Sequence, residues 1–395
     1  MLVFQGYADP LGRSGAELLA AWPTLAGVAE GVAAAGATVE AVVTAARDES
    51  FTEAGVAWRF VAESPSPTRA ISSLARLAGG RGALHPARTL RATRSSSPDV
   101  VHLHGLSFPL QARALRDLHP GAALVAQDHA DRPASGWRRW LHRGAYRGLD
   151  GVAFTAPRQA LPFVAAGILP EGLPVYGVPE GSSRFIPGDQ AAARAALGVS
   201  GAPAVGWIGR MTPGKDPLTA LEAFRRAATQ LPGATLWMAS PGGPLDSEVR
   251  TLVSGSPDLT FRVRLLGPLP HDRVETLLRA CDVFLSASRH EGSGYALVES
   301  LACGTPAAVT DIPPHVALVG PGEAGAIAPC GDPEALAAAL AAVAARGTRA
   351  RSAARRRFEE ALTFEAIGRR LVQVYEDLLA RRGRRPAPGA GQVAR

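Results

Sequence analysis

Short apolar runs recur along this chain at spacings that leave room for one helix between each pair, and the pattern runs twice. In the first half the strand candidates are residues 2–5, 38–43, 100–104, 123–127, 151–154 and 175–178, with helix-like stretches such as 17–35 and 110–118 between them. In the second half they are 204–209, 235–239, 263–266, 283–286 and 307–310, separated by helical stretches that include 217–231 and 271–281. Strands that alternate with helices pair in parallel, with the helices covering both faces of the sheet. Between the halves, a Pro- and Gly-rich run from Val178-Pro179-Glu180-Gly181 to Ile186-Pro187-Gly188 breaks the rhythm and reads as a linker. At 395 residues the chain also exceeds what one hydrophobic core usually supports. The pattern predicts an α/β protein of two Rossmann-like, doubly wound domains, residues 1–182 and 190–362, facing across a cleft.

Downstream, Ile367, Leu371, Val374, Tyr375 and Leu378 fall at helical spacing. Residues 364–382 are expected to form a helix that packs back on the first domain. Residues 383–395, beginning Gly383-Arg384-Arg385-Pro386, read as a disordered tail.

The 47% hydrophobic and 19% charged content is that of an ordinary globular enzyme. Net charge is +7, but acidic residues are interspersed among the basic ones. That spread argues against a dedicated nucleic-acid face and fits polyanionic ligands or an anionic membrane surface. Cys281, Cys303 and Cys330 are odd in number and far apart, so a reducing, cytoplasmic setting is the simplest expectation. The N-terminus opens into the strand-like run Leu2-Val3-Phe4-Gln5 and reads as carrying no signal peptide. No apolar run is long enough to span a bilayer.

Lys215 is the only lysine among 42 basic residues. It lies in Gly209-Arg210-Met211-Thr212-Pro213-Gly214-Lys215-Asp216, directly after the apolar run Ala204-Val205-Gly206-Trp207-Ile208. A compact ammonium and a planar guanidinium on a Gly/Pro loop at a strand's C-terminal end suit a phosphate ligand.

A second loop, Ser288-Arg289-His290-Glu291-Gly292-Ser293-Gly294-Tyr295-Ala296-Leu297-Val298-Glu299, follows the run Asp282-Val283-Phe284-Leu285-Ser286. Gly292 and Gly294 let the backbone turn tightly. The amides from Gly294 to Ala296 open a helix and form an anion site. Glu291 and Glu299, about two helical turns apart, suit hydroxyl donors such as sugar and ribose groups better than phosphate.

Arg210 and Lys215 after a strand, then Glu291 and Glu299 eight positions apart, then Gly304-Thr305-Pro306 and Thr310-Asp311-Ile312-Pro313, resemble the family-four glycosyltransferases. The resemblance is strongest from 204 to 345 and extends to Pro98-Asp99-Val100-Val101-His102-Leu103-His104-Gly105 in the first half. It implies the GT-B fold, retention of anomeric configuration, and a nucleoside-diphosphate sugar as co-substrate, with no cofactor. By the same resemblance, Arg210 and Lys215 would neutralise the donor diphosphate and Glu299 would bind the ribose. Glu291 would hold the donor sugar, helped by amides of Gly292, Ser293, Gly294, Tyr295 and Ala296, and His104 would face that sugar. Of the two histidines on the 100–104 strand, His104 is preferred over His102 by analogy alone. No Asp-x-Asp motif occurs, so the reaction is expected to be metal-independent, with Arg210 and Lys215 in the metal's place.

The chain departs from the family pattern in two places. Where the family often has Gly-Gly in the first βα loop, this chain reads Gly12-Arg13-Ser14-Gly15; Gly15 still offers amides and Arg13 adds charge. Ser293 replaces a larger apolar residue. Asp128, at a strand end, is a candidate for the acceptor side, with a helix cap as its other reading. Trp137, Trp140, Leu141 and Gly144 share one helical face, with Arg138, Arg139 and Arg143 around it. Packing on the first sheet is the favoured reading of that face over an interfacial membrane contact. Arg355-Arg356-Arg357 reads as solvated surface.

The resulting expectation is a hexosyltransferase that moves a sugar from a UDP- or GDP-linked donor to a glycan, lipid-linked or small-molecule acceptor. It would bind no nucleic acid and would work in the cytoplasm or at the inner face of the membrane. The alternatives are a nucleotide-sugar 2-epimerase on the same architecture, or a catalytically silent relative acting as a binding subunit. A phosphorylase is disfavoured because Lys215, the sole lysine for pyridoxal phosphate, is already committed to the diphosphate loop.

Overall fold

The computed structural model describes residues 1–6, 11–63, 86–129 and 131–383. Of the tail expected at 383–395, Gly383 ends the C-terminal helix and 384–395 lie outside the described residues. The chain divides into two compact units: Met1–Gly181 with Phe364–Arg395, and Ser182–Thr363.

The first unit is built on an eight-stranded sheet. Its strands are β1 (Leu2–Gln5), β2 (Val39–Ala45), β3 (Glu49–Glu53), β4 (Val56–Ala62), β5 (Val100–His104), β6 (Ala123–Gln127), β7 (Gly151–Phe154) and β8 (Val175–Gly177). Their order is β3-β4-β2-β1-β5-β6-β7-β8, all parallel except the edge strand β3, which pairs antiparallel with β4. β3 and β4 were not legible as strands in the sequence. β3 exposes most of its side chains and lacks an apolar run. β5 and β6 are buried throughout, as strands covered on both faces must be.

One expected helix, 17–35, is two. Helix Gly15–Ala21 ends at Trp22, and Pro23 begins helix Pro23–Ala34. Proline lacks an amide hydrogen and is tolerated only in a first helical turn, so the break falls where it stands. The C-terminal helix Phe364–Gly383 buries Ile367, Leu371, Val374, Tyr375 and Leu378 in the core of this unit. It lies backbone-to-backbone on helix Pro23–Ala34: a Cβ on Gly368 would sit 2.1 Å from the Gly31 carbonyl carbon.

The second unit has six parallel strands: β9 (Ala204–Ile208), β10 (Thr235–Ala239), β11 (Val263–Gly267), β12 (Val283–Ser286), β13 (Ala307–Thr310) and β14 (Gly325–Ala328). Their order is β11-β10-β9-β12-β13-β14. The chain runs outward from β9 through β10 to β11, then returns to place β12 on the other side of β9. That reversal makes a switch point at the C-terminal ends of β9 and β12, where open α/β sheets bind ligands. The first sheet reverses in the same way between β1 and β5.

Of the arginine run read as solvated surface, Arg356 is exposed, but Arg355 and Arg357 have structural work instead. Arg355 donates to the Ala302 carbonyl at 2.6 Å, and Arg357 to those of Leu318 and Ala317 at 2.9 and 2.7 Å. These are last-turn carbonyls of two neighbouring helices, which have no partner inside their own helices. Burial accordingly holds the Arg357 guanidinium below its ordinary value.

Candidate functional site

The switch point of the second unit brings two loops together. The loop after β9 ends at Asp216, which adopts a left-handed φ of 46°. Its carboxylate accepts from Thr219 N at 3.2 Å and Thr219 Oγ1 at 2.8 Å, capping helix Pro217–Ala227. It also accepts from Arg289 Nε at 2.5 Å, across to the loop after β12. The Arg289 amide donates to the Gly214 carbonyl at 2.8 Å, and Thr310 Oγ1 at the end of β13 fixes the Ser288 carbonyl at 2.5 Å. The two loops are thus tied by backbone as well as side chains.

Lys215 and Glu291 meet on that frame as an ion pair, Nζ to Oε1, with side chains 28% and 12% exposed. Ser288 Oγ donates to the same carboxylate oxygen at 2.8 Å. Arg210 is exposed at the start of the β9 loop and has no side-chain bond or ion pair among the described residues. Gly292, Ser293 and Gly294 are buried, and Gly294 takes a left-handed φ of 64° at the cap of helix Tyr295–Ala302. A Cβ there would lie 2.8 Å from Leu318 Cδ1, so conformation and space both favour glycine. Tyr295 is 38% exposed and Ala296 half-buried.

Glu299 lies further along that helix and accepts from His271 Nε2 at 2.8 Å. Burial pushes its carboxyl above the ordinary range, against the pull of His271. His271 opens helix His271–Ala280, and its ring lies 4.6 Å from that of Phe185. Sequence reasoning missed His271, Ser288, Asp216 and Arg289 as site residues. The His271–Glu299 and Arg289–Asp216 pairings span 28 and 73 positions and leave no local signal, while Ser288 lies three positions from Glu291 within the quoted loop.

In the first unit, His104 ends β5 and is 5% exposed. Its Nδ1 is 2.9 Å from His129 Nε2, and His129 Nδ1 is 3.1 Å from Glu180 Oε2. His102 stacks on His104 at 4.8 Å and bonds Tyr375 Oη through Nδ1 at 2.7 Å. Burial, then the neighbouring histidines, hold His104 well below the ordinary imidazole value. Burial pushes Asp128 up to about 7, with Asp131 adding to the rise. Asp128 Oδ1 accepts from the Asp131 amide at 3.0 Å, so it caps a turn; the next helix begins only at Arg138.

Gly15 and Arg13 stand differently from the expectation. The Gly15 amide already donates to Glu49 Oε2 at 2.8 Å, and Ser14 and Glu17 form a reciprocal capping box. Carboxylates therefore occupy amides that the sequence reading offered to a ligand. Arg13 places its guanidinium 5.9 Å from the Trp22 ring. The favoured packing of Trp137 and Trp140 is also overturned: they are 65% and 66% exposed, while Ala145 and Tyr146 on the opposite face of helix Arg138–Tyr146 are buried. Among the described residues no three His, Cys, Asp or Glu side chains converge as a metal site requires. Nor is any helix among them long and apolar enough to cross a membrane.

Residues 202–346 match the family described as "Glycosyl transferases group 1", and residues 20–177 match "Glycosyl transferase 4-like domain". A D-inositol 3-phosphate glycosyltransferase of Mycolicibacterium gilvum is 35% identical over 165 residues, which is 40% of this chain and 36% of that protein. The enzyme of that name from Mycobacterium tuberculosis H37Ra is 40% identical over 138 residues, 33% of this chain and 28% of its own length. The matched stretches thus span about a third of these relatives. Among solved structures, sucrose-phosphate synthase from Thermosynechococcus elongatus aligns with a TM-score of 0.64 at 19% identity, covering 96% of this chain and 99% of that one. Anabaena HepE, solved with UDP and glucose, aligns with a TM-score of 0.65 at 17% identity, covering 95% and 99%. At these identities the structural likeness speaks for the fold, GT-B. The two family matches together take in most of the sequence, the whole β9-to-β14 sheet included, and the chain belongs to the group 1 glycosyltransferases of the family-four type.

Proposed function

We propose that this protein is a retaining, metal-independent glycosyltransferase that moves a sugar from a UDP- or GDP-linked donor to a hydroxyl acceptor. The observation that carries the reading is the pairing of Lys215 with Glu291 on two loops tied together at a sheet switch point. Breaking the sugar–phosphate bond leaves negative charge on the departing diphosphate and an electron-poor sugar. Preorganised cations help most where that charge develops. Lys215 and Arg210 are assigned to the diphosphate, with the amides of Gly292, Ser293, Gly294, Tyr295 and Ala296 beside them. Glu291 is assigned to the sugar, Glu299 to the ribose, and His104 to a hydroxyl of the transferred sugar. HepE was solved with UDP and glucose, which supports a nucleotide-sugar donor of this kind.

The acceptor we assign to the lipid-linked class, ahead of free glycans and small molecules. The exposed Trp137 and Trp140, flanked by Arg139 and Arg143, favour work at the cytoplasmic face of a membrane.

Purified protein incubated with common nucleotide sugars, with and without EDTA, tests the reading. Donor hydrolysis or transfer that survives the chelator is expected. Turnover abolished by EDTA would overturn metal independence, and no turnover with any donor would leave the silent binding subunit.

A further inference from the structure

Three ionisable side chains from three separate segments form a line in the first unit. His104 ends β5, His129 lies two residues beyond β6, and Glu180 follows β8. The parallel pairing of His104 with Gln127 sets the first two strand ends side by side, and the Asp128 amide donates to Ala153 of β7 at 2.9 Å. The resulting separations are 2.9 Å from His104 Nδ1 to His129 Nε2 and 3.1 Å from His129 Nδ1 to Glu180 Oε2. Glu180 is 4% exposed, His104 5%, while the His129 side chain retains 30% of its surface. Both ring nitrogens of His129 are taken up within the line, so exchange with outside protons falls to His104 Nε2.

Hydrogen-bond logic allows this line only two arrangements with all partners satisfied. Glu180 accepts, so His129 carries a proton on Nδ1 in both. When His129 is neutral, its Nε2 is a bare lone pair and accepts from a proton on His104 Nδ1. The other nitrogen of His104, Nε2, is then an acceptor. When His129 is an imidazolium, its Nε2 donates, so His104 must present a lone pair at Nδ1 and carry its proton on Nε2. The two states differ by one proton: one enters at His104 Nε2, and the Nδ1 proton of His104 passes to His129. His104 is neutral in both states, and the positive charge rests on His129, against Glu180.

We propose that His129 and Glu180 are positioning residues that set, through the proton on His129, whether His104 Nε2 accepts or donates a hydrogen bond. The proposal rests on the assignment of His104 to the sugar and deepens it: a donor at Nε2 suits a sugar oxygen lone pair, an acceptor suits a sugar hydroxyl proton. The charged and titratable groups that face His129 are Glu180, Asp131 and Asp128, all acidic, together with His104 and, behind it, His102. The three carboxyls raise the His129 value against its burial, with Glu180 the strongest, whereas burial keeps His104 neutral. Charge is thus directed to the middle of the line and away from its substrate end.

Nitrogen-15 imidazole shifts of the full-length protein across neutral pH provide the direct test. His104 Nε2 is expected to change from bare to protonated with the same midpoint as His129. Glu180→Gln keeps the shape and the acceptor oxygen but removes the charge, so that midpoint is expected to move about one pH unit or more towards acid. The pH profile of KM for the nucleotide sugar should move with it. A His104 spectrum indifferent to the titration of His129, or a midpoint unmoved in Glu180→Gln, would overturn the proposal. His104→Ala keeps the two readings apart: full turnover in that variant removes His104 from the sugar yet leaves the wild-type spectral switch standing.

Discussion

Lys215 and Glu291 stand 76 positions apart and form an ion pair, because the second sheet reverses its strand order between the loops that carry them. A diphosphate that engages Lys215 has to draw the ammonium away from this carboxylate. The two residues are therefore expected to part company on substitution. Lys215→Ala should weaken nucleoside-diphosphate binding and lower turnover about 100-fold or more, the usual range when a preorganised group at the leaving oxygen is lost. Glu291→Gln should lower turnover while leaving diphosphate affinity equal or higher, since the ammonium is released. Titration calorimetry with UDP and GDP beside rate measurements checks this; equal loss of affinity in both variants would refute it.

Glu299 carries a cost in the folded chain. Burial raises its carboxyl value, against the hydrogen bond from His271, whose side chain is 68% exposed. A carboxyl whose folded value is raised binds its proton more tightly folded than unfolded, so ionisation above the ordinary range takes stability away. Glu299→Gln is expected to raise the melting temperature at neutral pH while weakening binding of ribose-containing nucleotides. Thermal scans with and without nucleotide separate the two effects.

The parallel strands were legible in the sequence because buried strands are near-continuous apolar runs, as in β5, β6 and β12. β3 was not, because an exposed edge strand has no such run, and β4, though largely buried, has its apolar run interrupted by Arg59. Lys215, Glu291 and Glu299 could be picked out by residue type and spacing. The Asp216–Arg289 and His271–Glu299 pairs could not, because the order of strands in space creates them, and Ser288, only three positions from Glu291, has no residue type that marks it out. The pairing of the Gly15 amide was hidden for the same reason, since Glu49, which takes it, arrives from an edge strand 34 residues away.

The pH dependence of stability follows from the buried groups of the first unit. Asp128 is raised to about 7 by burial and by Asp131, so the folded state holds a proton that the unfolded state releases near pH 4. Stability contributed by that proton is lost as pH climbs from about 4 to about 7. His129, also raised, loses its contribution in the same direction. On the acid side, burial holds His102 at about 3 and His142 at about 4, so stability falls as pH drops below the ordinary imidazole range. Each group contributes up to about 1.4 kcal/mol per pH unit within its window. A stability maximum near pH 6 is expected, and Asp128→Asn should raise the melting temperature most at about pH 8, with the gain shrinking steadily towards about pH 4. An unchanged profile in that variant would count against the assignment.

Gly368 tests the docking of the C-terminal helix. A Cβ there meets the Gly31 backbone at 2.1 Å, and Gly31 would in turn meet the Phe364 carbonyl at 2.1 Å, so neither contact can be relieved by turning a side chain. Gly368→Ala is expected to cost about 1–3 kcal/mol, as overpacking typically does, although alanine is the better helix former. Denaturant unfolding should show the loss. Because Tyr375 of the same helix bonds His102, which stacks on His104, turnover should fall as well.

The exposed face of helix Arg138–Tyr146 provides the test of membrane work. Trp137 and Trp140 are one helical turn apart, and Arg139, Arg143 and Arg147 run beside them at four-residue spacing. Arg143 stands 5.8 Å from the Trp140 ring, and no acidic residue occurs between Asp131 and Asp150. Indole rings partition to the bilayer interface while the guanidinium groups find anionic headgroups, and the electrostatic part of that attraction weakens with salt. The full-length protein is expected to co-sediment with phosphatidylglycerol vesicles at low salt and much less with phosphatidylcholine alone. Trp137→Ser with Trp140→Ser should abolish sedimentation, yet leave hydrolysis of the nucleotide sugar in free solution unchanged, because neither tryptophan is among the residues assigned to the donor. Equal binding of the variant, or equal binding to neutral vesicles, would remove the membrane and, with it, the argument for a lipid-linked acceptor.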